Sequence, residues 1–447
     1  MKTTYYKYDS YGNTISIKEQ VNNTDFRTQE FIYSQTTSYS YPDKYIIRGV
    51  ENINGNADDI IVSYEYDDFG NVLSSTDCEG NITRYEYDKL SNVVSETLPN
   101  GGKRTNDYNY NKNIIKTTDA LGNSLTYYYD NFGRLSSVVD NQTGGNLTTK
   151  VYNAKGLLES ETDAIGTKFT YSYDNLNRVA SISASGKDGN TVSINEFSYD
   201  EAFITDGSVY SRFETKITGS AGEMKTVYLF DFLGRQHSVE NVGENDSRIA
   251  KYEYDYLGNN TSVVLPDGSV QKSEYDIFGN MLSNTYGGIT ERFTYDLIGN
   301  QLSATNGEGE TTYTYYNTLG LVIKNEHPYT DKNTFSASKT YYDACGRVIK
   351  QVDGEGNITE YSYDKSGNLI KAVIGNSVTT YEYDAENRMT AMHTGAEGNM
   401  HSQSFEYDHF GNVLKTTDEL GYSEEYTYDL NGNVLTCTFV NDVRPKK

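Results

Sequence analysis

The sequence predicts an all-β fold: repeated antiparallel hairpins laid side by side in one ribbon and wound into a spiral that can enclose a hollow. Three observations carry this. The stretch Tyr64-Glu65-Tyr66-Asp67-Asp68-Phe69-Gly70-Asn71-Val72-Leu73 returns with variations along nearly the whole chain. Its period is about 21 residues, as from Asp67 to Asp88, Asp255 to Asp276, Asp343 to Asp364 and Asp408 to Asp429, and self-similarity at that period marks units that bury their faces on neighbours. Nothing in the array has a 3.6-residue apolar period, so no helix is expected.

Each unit opens on a strand of the form Thr/Arg-x-Tyr-x-Tyr. Tyrosines two apart, such as Tyr171 and Tyr173 or Tyr361 and Tyr363, lie on one face of a strand. An Asp follows, whose side chain can accept from the backbone two residues on and start a turn. Two variable residues and Gly-Asn or Gly-Arg complete it, the Gly supplying a positive φ. Where that Gly is missing, Asn177 and Asn387 replace it, and Asn tolerates the left-handed region better than other side chains. Ser91 is a third replacement, for which the sequence offers no such reason.

A second strand comes next, as at residues 72–76, 135–139 and 413–417, and ends in Asp-x-x-Gly at Asp77 to Gly80, Asp119 to Gly122, Asp163 to Gly166 and Asp418 to Gly421. Leu98-Pro99-Asn100-Gly101 and Leu265-Pro266-Asp267-Gly268 serve the same purpose with a Pro-preset turn. A unit is therefore two strands and two tight turns. Roughly seventeen units imply about 34 strands, and at about 4.8 Å per strand a flat sheet would be about 160 Å wide; accumulated twist makes a sheet of that size curl.

Three regions are expected. Residues 1–60 are divergent N-terminal repeats, with one plain copy at residues 6–13 and turns at 40–43 and 53–56; residues 61–440 are the repeat array; residues 441–447 are a polar tail. Long intervals fall mostly between the second strand and the next tyrosine strand, at 140–146, 185–190, 325–338 and 394–400, and the longest spans 200–231. One rim of the ribbon is thus standardised and the other decorated. Insertions on one rim often mark a binding face, and tolerated surface loops give the same pattern.

Composition narrows the function classes. A net charge of −25 repels nucleic acid and anionic surfaces. Hydrophobic content is low at 36%, and 43 tyrosines supply much of the missing apolar area; each ring is large, and each hydroxyl needs a partner. Cys78, Cys345 and Cys437 are scattered and odd in number, so neither a disulfide framework nor a metal knuckle is read from them. The first residues lack the apolar core of a secretory signal peptide, and no apolar run reaches membrane-spanning length.

The repeat Tyr-x-Tyr-Asp-x-x-Gly-Asn/Arg-x-Leu resembles the RHS or YD repeat, over about 85% of the chain. In known members such hairpins wind into a hollow shell, as in bacterial RHS and wall-associated toxins, the B and C subunits of insecticidal toxin complexes, and teneurins. The resemblance implies a secreted or cell-surface shell that encloses or presents a toxin or core domain on the same or a neighbouring chain. Toxin members end in a core-associated segment with aspartate-dependent self-cleavage, followed by a variable toxic domain. Neither is recognised before the final residues 441–447, so no catalytic residue of the family is carried over, and the chain reads as shell wall alone.

The candidate chemistry is weighed against plainer roles. Asp67, Asp88, Asp130, Asp174 and their equivalents form a line of carboxylates, and carboxylate pairs can hydrolyse glycosides; identical recurrence in every copy favours turn formation instead. The acidic turns at 353–357 and 52–59 lack the spacing and terminal bidentate Glu of a calcium loop. His237, His327, His393, His401 and His409 show no zinc-ligand spacing, and the serines no nucleophile elbow. Asn81-Ile82-Thr83 belongs to the repeat grammar. The tyrosine ladder could stack on sugar rings, or its rings could pack across strands. No catalytic, cofactor-binding or metal-binding residue is expected, nor any cofactor. The leading expectation is a non-enzymatic shell segment; the alternative is a carbohydrate-binding or adhesion module using the tyrosine face or the decorated rim.

Overall fold

A computed structural model describes residues 3–22, 25–34, 39–51, 57–219, 222–243, 247–328, 335–396 and 399–441. Among them there is no helix, and 38 strands run from β1 (Thr4–Tyr8) to β38 (Val434–Asn441). Every strand pairs antiparallel with the next in sequence, from β1 with β2 (Thr14–Gln20) onward, making one continuous meander that hydrogen bonds do not close into a barrel. The expected turn at 53–56, the centre of the acidic run 52–59 and the tail beyond residue 441 lie outside the described residues.

One hairpin explains the rest. β5 (Ala57–Tyr66) and β6 (Val72–Thr76) pair with Tyr64 opposite Ser75 and Glu65 opposite Ser74, and the register then shifts so that Tyr66 faces Val72. The same shift recurs at Tyr87, Tyr129, Tyr173, Tyr316 and Tyr428. An extra residue in one strand bends it and adds twist. At the Asp-x-x-Gly end the ladder is regular but short: only Ser74, Ser75 and Thr76 of β6 pair with β7 (Ile82–Tyr87). Strands are thus tied at one rim and splayed towards the other, and the ribbon curls.

The curl completes a circuit. Contacts between turns 265 to 287 residues apart recur along the chain. The turn after β6 meets the turn after β29 (Phe335–Tyr342), and the turn after β14 (Leu158–Asp163) meets the turn after β37 (Tyr422–Tyr428). Both pairs are 23 strands apart, so 38 strands make about 1.7 circuits. At about 4.8 Å per strand a circuit measures about 110 Å, a ring about 35 Å across. In this seam the Tyr-Asp turns of the second circuit sit on the Asp-x-x-Gly rim of the first.

Among the described residues, neither face of the ribbon is packed against another layer. Buried apolar residues are few and mostly small, including Ile46, Ile60, Val138, Ala184 and Ala372. The accessible surface is 27212 Å², against about 17,000 Å² for a compact chain of 50.3 kDa.

Three local expectations need correction. The strands number 38 rather than about 34, because the divergent first 60 residues and the 200–231 interval also form hairpins. Pro42 and Asp43, read as a turn, open β4 (Pro42–Glu51), a strand-start position that Pro tolerates. The longest insertion lies on the Tyr-Asp rim: Asp200 starts no turn, and β17 (Thr191–Thr205) and β18 (Ser208–Gly219) extend the hairpin to a tip at Asp206 and Gly207.

Candidate functional site

The recurring aspartates are turn organisers. In the turn after β5, Asp67 Oδ1 accepts from the backbone N–H of Phe69 and of Asn71, both at 2.9 Å, while Oδ2 accepts from the Asn71 amide at 2.8 Å. Gly70 takes φ 86°. The Asn71 side chain leads the interactions that hold the Asp67 carboxyl below its usual range, against the opposing effect of burial. Where Arg replaces the Asn, Arg134 Nε donates to Asp130 at 2.7 Å and its guanidinium lies 4.3 Å over the Tyr152 ring of the next hairpin. Arg178 over Tyr199 and Arg388 over Tyr407 repeat this.

In most units the second tyrosine crosses to the previous hairpin. Tyr87 hydroxyl donates to the Val72 carbonyl at 2.9 Å, Tyr129 to Ile114 at 2.7 Å, Tyr173 to Leu158 at 2.7 Å and Tyr428 to Val413 at 2.7 Å. The bond fills the place where adjacent strands splay and a ladder partner is missing. That is the partner a half-buried phenol requires, and it leaves these hydroxyls committed to the wall.

The histidines do not gather. His237 stacks on Tyr210 at 4.5 Å, His393 lies 2.7 Å from Ser402, and His401 lies 2.5 Å from Glu419. His327 lies 3.4 Å from Thr312. No cluster of three or more metal-ligating side chains occurs among the described residues. The turn at 353–357 has the ordinary geometry, Asp353 accepting from Glu355 and Asn357.

The seam is where unlike residues converge. Asp140, at the end of β12 (Leu135–Asp140), is fully buried. Its Oδ2 accepts from the Thr143 hydroxyl at 2.5 Å and lies 2.9 Å from His409 Nε2 of the other circuit. Burial pushes the Asp140 carboxyl up, but the bonds from Thr143, Gln142 and His409 outweigh it and hold the group below its usual range. A carboxylate only accepts, so Nε2 carries the proton. A cavity of about 350 Å³ beside this pair is lined by Arg104, Asn106, Thr118, Leu125, His409 and Phe410 among others. Nearby, Glu386 accepts from Arg104 at 2.6 Å and from the Ala120 N–H. The turns that carry Cys78 and Cys345 meet at the same seam, where the Ala344 N–H donates to Glu79 Oε1 at 3.1 Å, and each thiol shifts the other's titration. Sequence reasoning missed these pairs because an offset near 270 residues leaves no local pattern.

Five regions, residues 66–103, 108–149, 152–191, 342–376 and 407–438, match the RHS repeat family. The chain is 26% identical over 229 residues to a protein of Bacillus spizizenii named tRNA3(Ser)-specific nuclease WapA, covering 48% of this chain and 9% of that protein. Among solved structures it resembles the TcdB2-TccC3-TEV structure with a TM-score of 0.62 at 15% identity, covering 96% of this chain and 27% of that one. It also resembles TcdB2-TccC3 without its hypervariable C-terminal region, with a TM-score of 0.55 at 14% identity, covering 98% and 25%. The chain therefore spans about a tenth of the curated relative and about a quarter of the solved chains. The hairpin grammar, the unclosed 38-strand spiral and these matches agree, and the chain carries RHS repeats over those five regions.

Proposed function

We propose that this chain is a length of shell wall: a non-enzymatic segment of a secreted or cell-surface, toxin-associated RHS-repeat protein that encloses or presents a partner domain on the same or a neighbouring chain. The observation that carries the reading is the surface of 27212 Å², about 1.6 times that of a compact chain of this mass. A sheet that covers neither of its faces has room beside one of them for something else. The turn aspartates and second-tyrosine hydroxyls are spent on holding the wall, which supports the view that chemistry belongs to the partner. Within this reading, residues 1–60 are the divergent end of the wall, 61–440 its regular part and 441–447 a tail. The nuclease activity in WapA's name is a property of that protein.

The test is protection. The chain is co-expressed with the polypeptides encoded beside it, purified and treated with protease. A co-purifying partner that survives digestion with the wall, and is cut without it, supports enclosure. No partner, together with solution scattering of a filled body, ends the reading. Turnover of a nuclease or glycosidase substrate, abolished by replacing one aspartate, would end the non-enzymatic part.

One observation favours a second reading, adhesion or carbohydrate binding. Phe69, Tyr110, Phe132, Phe232 and Tyr256 stand in the middle of Tyr-Asp-type turns and expose 84 to 99% of their surface. In the second circuit the corresponding turns carry Cys345, Glu386 and Phe410, which lie against the first circuit. The exposed aromatics thus belong to the standardised rim rather than the decorated one. A glycan array that binds the chain, and loses the signal with Phe132→Ala and Tyr256→Ala together, would support adhesion; an array without signal would remove its carbohydrate form.

A further inference from the structure

We propose that Cys78 and Cys345 are a modification site: a disulfide between them staples the first circuit of the shell to the second, formed by exchange with a low-molecular-weight disulfide. Cys78 is the second residue of the Asp77 to Gly80 turn, and Cys345 the third residue of the Asp343 to Gly346 turn. The seam brings these turns together. The Ala344 N–H donates to Glu79 Oε1 at 3.1 Å, bonding the residue before one cysteine to the residue after the other. The thiols are half-buried and unbridged, and each stands near enough to shift the other's titration. Both sit in tight turns outside the strand ladders, so closing the bond leaves the sheet intact.

The surroundings of the thiols set the pace of the exchange. Burial pushes both thiols up, Cys78 to about 12, with Asp77 adding to it. In the exchange one thiol, Cys345 for instance, gives up its proton to water. Its thiolate attacks one sulfur of the small disulfide, forming a mixed disulfide and releasing one small thiolate. That thiolate takes the Cys78 proton, and the Cys78 thiolate attacks the Cys345 sulfur, expelling the second small thiolate, which takes a proton back from water. Two cysteine thiols are oxidised and one disulfide is reduced to two thiols. An oxidising compartment supplies that reagent, and scarce thiolate makes the exchange slow at neutral pH and faster as pH rises. The staple links segments 267 residues apart in sequence, where a cross-link restricts the unfolded chain most.

The experiment uses the full reduced chain with oxidised glutathione. Native incubation is expected to lower free thiols from three to one, leaving Cys437, and non-reducing peptide mapping is expected to recover a Cys78–Cys345 linked peptide from a monomer. The oxidised chain should melt about 5 °C higher than the reduced one, and oxidised Cys78→Ser and Cys345→Ser should show no such rise. Separate glutathione adducts on Cys78 and Cys345, or both thiols untouched while Cys437 reacts, would overturn the pairing. A linked chain with an unchanged melting temperature would overturn the staple.

Discussion

Glu386 and Arg104, 282 residues apart in sequence, form a 2.6 Å ion pair across the seam between successive circuits. Arg104 is 41% exposed and Glu386 15%, so the ion pair itself contributes only about 0–1 kcal/mol. Glu386 also satisfies the Ala120 N–H, and a covered donor left without an acceptor costs about 1–3 kcal/mol. Glu386→Ala should therefore destabilise the chain more than Arg104→Ala. Denaturant titration of the two variants would show the order, and faster hydrogen exchange at Ala120 should accompany only the first. Equal effects would mean that the charge pair, not the amide, governs the seam.

Gly102 lies close against the opposing circuit. A Cβ there would stand 2.6 Å from the Ala385 carbonyl oxygen of the opposing turn, and backbone cannot yield as a flexible side chain does. Overpacking of this kind costs about 1–3 kcal/mol. Gly102→Ala should open the seam locally, loosening the bonds of Asn100 to Ala385 and Asn387. Protease sensitivity at residues 384–388 should rise while the far wall near 255–280 stays unchanged.

Tyr87→Phe removes only the hydroxyl that donates to the Val72 carbonyl. The expected loss is about 1 kcal/mol, the usual net contribution of one hydrogen bond. The slot tolerates the change, since Phe230 occupies it in β19 (Gly222–Phe230). Stacking several such substitutions along neighbouring strands should lower the unfolding midpoint stepwise, and a flat response would show that the ring alone matters.

Ser91 and Lys112 hold the left-handed turn position with φ 61° and 62°, where an L side chain costs about 1–2 kcal/mol. Each also makes one exposed bond, Asn71 to Ser91 Oγ at 3.1 Å and Lys112 Nζ to the Leu90 carbonyl at 2.8 Å. The backbone gain exceeds what such bonds contribute, so Ser91→Gly and Lys112→Gly should each stabilise by about 1 kcal/mol. A fall in unfolding midpoint would show instead that those bonds govern the turn.

What was legible in the sequence was whatever repeats locally. The Asp67 turn, the positive φ at Gly70 and the shared face of Tyr64 and Tyr66 follow from residues within ten positions of one another. The period forces the ribbon, and twist forces the curl. The length of the circuit is set by a small bend at each hairpin, summed over 23 strands, and no single residue encodes it. Every seam contact depends on that sum. For this reason His409 meeting Asp140, and Cys78 meeting Cys345, could not be foreseen from residues that look unrelated in the chain. The long β17–β18 hairpin escaped for another reason: Asp200 carries the turn signal, yet the strand residues beyond it, Phe203 and Ile204, find partners in Tyr210 and Val209 and pairing continues.

The turn aspartates predict how the wall responds to acid. Side-chain amides of Asn71, Asn92 and Asn259, with backbone N–H donors, hold Asp67, Asp88 and Asp255 below their usual value near 3.8. A carboxyl whose folded value is depressed adds stability above its unfolded value and loses it as pH falls through the folded one. Stability should therefore be level near neutral pH and fall progressively below about pH 4, with many turns contributing together. Asn already serves in this position, since Asn109 Oδ1 accepts from the N–H groups of Asn111 and Asn113 at 2.9 and 3.0 Å. Asp88→Asn should keep the turn, lower the unfolding midpoint at pH 7, and lose less than the wild type between pH 7 and pH 3. Parallel acid curves for the two proteins would show that the turn carboxylates do not govern acid unfolding, and attention would pass to the buried Asp140 at the seam.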